Sequence, residues 1–193
     1  MLFETLNFIV VEFNAYLERL DKTSYPLIMG NIALQDGQGG GNADDVDDKM
    51  VLSLINVEEE KTLKNEPITK RNGTEVSTQN APVFLNLYLL FSSNIQNYQE
   101  ALKYLSLVLQ FFQQKRIFTA AGSPLLAEAN IDKISFEIFD LSFEQTNNLW
   151  GVLGSKLVPS ILYKVRMITV QAAPEIGAGM IEQIIVNDNS ING

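Results

Sequence analysis

The segment Val83 to Phe91 constrains the fold more than any other stretch of this 193-residue chain. Alternate residues of a strand point to opposite sides of a sheet, and in this segment both sides are mostly apolar: Val83, Leu85, Leu87, Leu89 and Phe91 on one, Phe84, Tyr88 and Leu90 on the other. A strand with two apolar faces belongs in the centre of a sheet that is covered on both sides. We therefore expect a layered fold of helices packed on a sheet.

Apolar residues at helical spacing predict two long amphipathic helices, over residues 2–20 and 98–112. Ser93 and Gln96 have the spacing of a capping box and are expected to start the second of these helices. Its apolar stripe is broad enough for cover on more than one side, by the sheet and by another subunit. Ser142 and Gln145 repeat the capping-box spacing before a short third helix that ends at Gly154.

Apolar and alternating runs predict about five strands, and Asn72-Gly73 predicts a hairpin turn within residues 62–81. Gly122-Ser123-Pro124 is interpreted as a loop. The expected class is α+β (or α/β): one mixed sheet of about five strands covered by two to three helices. The strand segments are 27–34, 50–57, 83–91, 134–138 and 161–167.

Residues 35–49 predict a mobile acidic loop, because the segment combines four glycines with five aspartates and offers little to bury. Calcium binding by these carboxylates is the alternative, although the EF-hand spacing is absent. After Pro174, the Gly177-Ala178-Gly179 sequence and the apolar residues 184–186 suggest a C-terminal arm. We expect a domain over residues 1–174 and an arm over 175–193 that places a strand on a neighbouring subunit.

The composition excludes several kinds of chemistry. There is no histidine and no cysteine, which removes histidine-based acid–base catalysis, thiolate nucleophiles, disulfides and cysteine metal sites. The net charge is −9, and a negative chain without a basic stripe argues against nucleic acid as the main partner. We expect no signal peptide and no membrane insertion, since the start lacks a cationic region and no window of about 18 apolar residues occurs.

Four groups of side chains have two interpretations each. Glu58, Glu59 and Glu60 form a solvated strand edge or include a catalytic acid that acts with Asp140 or Glu144. Trp150 is a core anchor or a ligand platform. The pair Lys164 and Arg166 is an exposed strand face, an anion site or a contact for an acidic partner. Asn72-Gly73-Thr74 is a glycosylation sequon or, as we favour, a hairpin turn.

Four blocks of the sequence resemble the N-terminal domain of cap, or tube-terminator, proteins of extracellular contractile injection systems, the antifeeding-prophage-like phage-tail particles. NNLWGVLG at 147–154 and PSILYKVR at 159–166 are the most specific stretches. The chain is also similar to tail terminators of contractile phages. The blocks occur in order and, with the intervening segments, span most of the chain: MVLSLINVEEEKTLKN at 50–65, NAPVFLNLYLLFS at 80–92, YQEALKYLSLVLQFFQ at 98–113 and LSFEQTNNLWGVLGSKLVPSILYKV at 141–165.

The resemblance implies a tail-terminator-like fold and a structural subunit that is not an enzyme and needs no cofactor. It implies a six-fold ring at the baseplate-distal end of the particle, where tube and sheath end and join. The implied partners are further copies of the chain, tube and sheath proteins and another cap subunit. Such a particle is assembled in the bacterial cytoplasm and released from the cell. The candidate interface residues are Asp44, Asp45, Asp47, Asp48, Glu58, Glu59, Trp150, Lys164, Arg166, Ile184, Ile185 and Val186.

Two alternatives to the terminator remain open at this stage. The chain is an adaptor, baseplate or assembly factor of the same particle, or it is a carboxylate-dependent cell-wall hydrolase. A hydrolase requires two carboxylates at catalytic separation in one cleft. A terminator requires surfaces that join copies and bind the last layer of a polymer without offering a site for the next layer.

Overall fold

The computed structural model describes residues 1–34, 46–60, 68–72, 75–79, 84–169 and 175–176. The chain divides into two compact units, the first comprising Met1–Leu63 and Val83–Val170 and the second Lys64–Pro82 and Gln171–Gly193. The sequence-based boundary between a domain over 1–174 and an arm over 175–193 stays a prediction.

The described residues form nine strands and four α-helices, with short 3-10 helices at Ile32–Leu34 and Ala120–Gly122. In chain order the elements are α1 (Leu2–Arg19), β1 (Leu27–Met29), β2 (Met50–Glu59), β3 (Ile68–Asn72), β4 (Glu75–Gln79), β5 (Phe84–Ser93), α2 (Tyr98–Gln114), β6 (Ile117–Thr119), α3 (Pro124–Glu128), β7 (Ile131–Ile138), α4 (Phe143–Leu153), β8 (Ser160–Thr169) and β9 (Glu175–Ile176).

The first unit is built on a six-stranded sheet with the order β1-β2-β5-β8-β7-β6. β1 and β2 are parallel and the other neighbours are antiparallel, so the sheet is mixed as predicted. β5 lies between β2 and β8, which confirms the central position inferred from its two apolar faces. The α+β class is confirmed, but the estimate of about five strands and three helices was too low because short elements such as β6 and α3 carry weak patterns.

One side of this sheet, which we call the helical face, is covered by α1, α2 and α3. Leu87, Leu89 and Phe91 of β5 point into this layer and are fully buried. Phe112 of α2 stacks on Phe136 with ring centroids 4.2 Å apart and packs at 4.8 Å from the ring of Tyr163. Each of the two long helices buries one side in this aromatic layer, whereas Tyr98, Leu102 and Leu109 of the predicted α2 stripe stay exposed.

The start of α2 differs from the prediction. Ser93 is the last residue of β5, where it pairs with Met50, so it does not cap the helix. Asn97 is the cap, and its side chain accepts hydrogen bonds from the backbone N–H groups of Gln99 and Glu100. The capping-box spacing at Ser93 does not produce a cap, because Ser93 belongs to the strand and a polar residue closer to the helix caps it instead.

The capping box predicted at the start of α4 is confirmed, because both of its hydrogen bonds are present. The backbone N–H of Gln145 donates to Ser142 Oγ at 3.2 Å, and the backbone N–H of Ser142 donates to Gln145 Oε1 at 2.9 Å. Gly154 follows the helix with φ +65°, the left-handed conformation that the prediction of its end requires. Pro124, expected in a loop, instead opens the five-residue helix α3, a position that proline tolerates.

The hairpin predicted around Asn72-Gly73 is confirmed. β3 and β4 are antiparallel, and Asn72, the last residue of β3, pairs with Glu75, the first residue of β4. In the second unit β9 pairs with β4 through Ser77 and Ile176. The apolar residues 184–186, expected to place a strand on a neighbouring subunit, lie outside the described residues. The predicted strand 27–34 is shorter than expected, ending at Met29 before a 3-10 helix.

Candidate partner-binding surfaces

The other side of the six-stranded sheet, the α4 face, is divided into an apolar half and a polar half. Trp150 of α4 is buried in the apolar half, in a cluster with Ile32, Val46, Val51, Leu90 and Leu162. Val51, Leu90 and Leu162 are the strand residues of this cluster, and they alternate with residues that point to the helical face. The prediction that β5 is covered on both sides therefore holds for this half. Of the two interpretations of Trp150, its burial supports the core anchor.

Two open grooves border α4. The larger, about 330 Å³, lies between α2 and α4 and is lined mainly by apolar side chains, including Leu109, Ile138 and Trp150. The smaller, about 240 Å³, lies beside Tyr88 and extends to Ile55 and Glu58 on β2. Phe139 and Leu141 line both grooves. Such apolar concavities suit side chains of a protein partner.

The polar half of the α4 face holds three of the predicted candidates in neighbouring strands. Tyr88 pairs with Lys164, and Arg166 pairs with Asn86 in the next row. The Tyr88 hydroxyl donates to Glu58 Oε2 at 2.9 Å, and Arg166 Nη2 donates to Glu137 Oε2 at 3.2 Å. Burial raises the pKa of Tyr88, and the neighbouring Glu58 carboxylate raises it further.

Glu58 and Glu59 do not act together. They are successive residues of β2 and pair with Asn86 and Leu85 respectively, so their side chains point to opposite sides of the sheet. Both are exposed. Glu58 also accepts a hydrogen bond from Asn56 Nδ2 at 3.3 Å. Glu58 lines the smaller groove and Asp140 the larger one. Glu144 is exposed on the first turn of α4.

The structure describes residues 46–49, which are the end of the predicted acidic loop, and these residues are anchored to the first unit. Val46 is buried in the α4-face cluster, and its carbonyl accepts a hydrogen bond from Asn94 Nδ2 at 3.0 Å. Asp48 Oδ1 accepts from the backbone N–H of Gln96 at 3.1 Å. Residues 46–49 thus belong to the packed fold, which their composition does not reveal.

Several candidates lie outside the described residues: Asp44, Asp45, Ile184, Ile185 and Val186. Asp47 is described and exposed. Within the described ranges, no three acidic side chains come close enough together to hold a metal ion. Among the same residues, no helix is long and apolar enough to cross a membrane.

Sequence reasoning missed the most exposed apolar side chains of the first unit. Phe143 and Val152 of α4 and Leu157 beyond it project into solvent. Tyr98, Leu102 and Leu109 form an exposed line on α2. The signal was present in the breadth of the α2 stripe, but a sequence pattern does not show which of two apolar sides is covered by the same chain.

The comparisons with known proteins agree with the fold. The family model described as the Pvc16 N-terminal domain matches residues 5–183. The chain therefore belongs to the Pvc16 N-terminal domain family, and the resemblance inferred from the four sequence blocks is confirmed. No curated protein matches the chain.

Solved structures from two contractile particles resemble this chain. One is titled a PVC sheath/tube terminator in extended state, from an extracellular contractile injection system; it has a TM-score of 0.62 and 14% identity over all of this chain. The chain spans 65% of the length of that protein. The other, titled the anti-feeding prophage cap, has a TM-score of 0.48 and 13% identity over 75% of this chain and 52% of its own. The first match shows that the two proteins share a fold.

Proposed function

We propose that this protein is a structural terminator of a contractile injection system. In this proposal the chain forms a six-fold ring at the baseplate-distal end of the particle, where it ends and joins the inner tube and the sheath. It acts through binding surfaces rather than catalysis and requires no cofactor. The observation that carries the proposal is the family match over residues 5–183.

The fold comparison supports the same role. The structure that shares this fold over the whole chain is called a sheath/tube terminator. Several side chains on the first unit also suit assembly rather than an isolated existence, because Phe143, Val152 and Leu157 are exposed and apolar.

A terminator must bind one layer of a polymer and offer no equivalent site to the next. The edge of β2 that follows Leu52, where β1 no longer pairs with it, is suited to such a task. β1 pairs only with Met50, Val51 and Leu52, and the rest of β2 carries a register shift between Leu54 and Asn56. Asn56 Oδ1 accepts a hydrogen bond from the backbone N–H of Val57 at 2.9 Å. Irregularities and charged residues of this kind discourage the addition of another strand.

Deletion of the gene tests the proposal in a bacterium that produces the particles. We expect particles of irregular length, or particles that lose the sheath at one end, when they are measured by electron microscopy. Supplying the wild-type gene in trans should restore a uniform length. A deletion strain whose particles keep the wild-type length distribution and a stable sheath would refute the terminator function.

A further inference from the structure

The smaller groove of the α4 face has mainly apolar walls and one charged side chain. Its volume is about 240 Å³, and Phe139, Leu141, Leu149 and Leu162 supply much of its lining. Among the residues that the structure describes, Glu58 is the only charged residue that lines it. A carboxylate in such surroundings favours an occupant that offers both an apolar body and a positive charge.

Two hydrogen bonds orient the carboxylate of Glu58. Its Oε2 atom accepts one from the Tyr88 hydroxyl at 2.9 Å, and its Oε1 atom accepts one from Asn56 Nδ2 at 3.3 Å. An ionised carboxylate can accept about four hydrogen bonds, so both oxygens keep capacity for a donor from another molecule. Glu58 therefore presents an oriented acceptor at the groove instead of a freely rotating side chain.

The register shift in β2 brings Glu58 to this side of the sheet. Val51 faces the α4 side, and strict alternation from Val51 would place Glu59 on that side and Glu58 on the other. Ile55 has no paired residue at the register shift, and beyond it the alternation is reversed, so that Glu58 pairs with Asn86. Such irregularities commonly re-aim side chains. The backbone of β2 thus sets the position of the carboxylate.

The described part of the chain supplies no cation to this carboxylate. No lysine or arginine in that part forms an ion pair with Glu58. Lys164 pairs with Tyr88 in the next strand, and its Nζ lies 6.0 Å from the centre of the Tyr88 ring. Lys164 does not line the groove. The carboxylate can therefore receive a positive charge from outside the chain.

The walls of the groove favour arginine over the other side chains of a partner. Tyr88 and Phe139 meet edge to face, with ring centroids 5.0 Å apart. A guanidinium group stacks on aromatic rings and donates two parallel hydrogen bonds to a carboxylate, while its aliphatic stem packs on apolar surface. A lysine ammonium is more strongly hydrated and loses more on entering an apolar groove. A purely apolar side chain leaves the carboxylate of Glu58 without a donor.

We propose that the smaller groove binds an arginine side chain of another protein subunit. The aliphatic stem packs against Phe139 and Leu141, and the guanidinium lies beside Tyr88 and donates to Glu58. The net charge of −9 on the chain favours the approach of a basic partner. This contact goes beyond the proposed function, because it specifies the chemistry of one partner wherever the chain lies in the particle.

The test titrates the full, isotope-labelled chain with N-acetyl-arginine amide and follows the backbone amide signals by NMR. N-acetyl-citrulline amide is the neutral probe of nearly the same shape, and N-acetyl-lysine amide is the second cation. Glu58→Gln removes the charge of the groove and keeps the size of the side chain. Glu59→Gln is the matched control, because Glu59 is the next residue, is also exposed and points to the other side of the sheet.

We expect the arginine probe to produce saturable shifts at Tyr88, Phe139 and Leu141, with a dissociation constant on the order of 1 mM for so small a ligand. Glu58→Gln should weaken this binding at least about 10-fold through loss of the charged hydrogen bonds. Glu59→Gln should bind as the wild type does. The citrulline probe should bind at least about 10-fold more weakly than the arginine probe, and the lysine probe at least about 3-fold.

Three results would overturn the proposed site. The first is a wild-type titration that does not saturate or that shifts signals away from the groove. The second is an equal loss of binding in Glu58→Gln and Glu59→Gln, which indicates general attraction to a negative chain. The third is binding of the citrulline or the lysine probe as tight as that of the arginine probe. These titrations need no particle, so their failure leaves the terminator function to the gene-deletion experiment.

Discussion

The two faces of the six-stranded sheet differ in how densely they are packed and how completely helices cover them. On the helical face, three helices bury aromatic side chains that pack ring against ring, with centroids as close as 4.2 Å between Phe112 and Phe136. On the α4 face, one short helix covers an apolar half around Trp150, and the other half is polar and bordered by grooves. The contrast indicates that the helical face holds the fold together and that the α4 face leaves surface available for partners.

The largest effect is expected from removing an aromatic ring on the helical face. Phe112→Ala should lower the free energy of unfolding by about 4 kcal/mol, because the lost ring leaves a cavity among Phe91, Phe136 and Tyr163. Urea denaturation followed by circular dichroism measures the change. A loss below about 1 kcal/mol would mean that this layer is not the main source of stability.

Truncation of Trp150, the central side chain of the α4 face, should destabilise the protein less than Phe112→Ala does. Trp150→Ala is expected to lower the free energy of unfolding by about 3 kcal/mol, at the low end for such a change, because Trp150 already borders an open groove that limits the packing it loses. Hydrogen exchange should then increase in α4 while α2 stays protected. Equal increases in both helices would contradict the separation of the two faces.

Two glycines of α4 give a matched pair with opposite expected signs. Gly154 has φ +65°, whereas Gly151 lies within the helix, and a Cβ added at either position meets nothing within 4 Å. Gly154→Ala should destabilise the protein by about 1 kcal/mol through its backbone conformation. Gly151→Ala should stabilise it by up to about 1 kcal/mol through helix propensity. The two unfolding midpoints should shift in opposite directions. Shifts of the same sign would contradict a helix that includes Gly151 and ends at a left-handed Gly154.

The smallest effect is expected in the polar half of the α4 face. Arg166→Ala removes the hydrogen-bonded ion pair with Glu137, and both side chains are more than half exposed. Water and salt screen such pairs, so the free energy of unfolding should change by less than about 0.5 kcal/mol. Measurement in low and in high salt checks this expectation, and a large loss in both would show that the polar half is needed for the fold.

The layered fold followed from the sequence because its main elements have strong patterns. The two apolar faces of β5 predicted its central position, and the Ser142–Gln145 spacing predicted the start of α4. The false cap at Ser93 shows the limit of such reasoning, since pairing with Met50 in the sheet decides its conformation. Short elements such as α3 and β6 depend on tertiary packing and leave little local signal.

The surfaces were harder to predict than the fold. The pairing of Lys164 and Arg166 on one side of β8 followed from strand alternation, but their neighbours Tyr88 and Glu137 come from other strands. The exposure of Phe143 and Val152 is a property of how α4 lies on the sheet. A sequence shows that a residue is apolar, whereas only the fold shows whether its own chain covers it.

The most direct test of the terminator function is cryo-electron microscopy of particles that contain this chain, with a small tag to mark it. The terminator function predicts density for the chain in one six-fold ring at the baseplate-distal end, in contact with the last layers of tube and sheath. Density at the baseplate, density along the length of the particle, or absence of the chain from intact particles would contradict it.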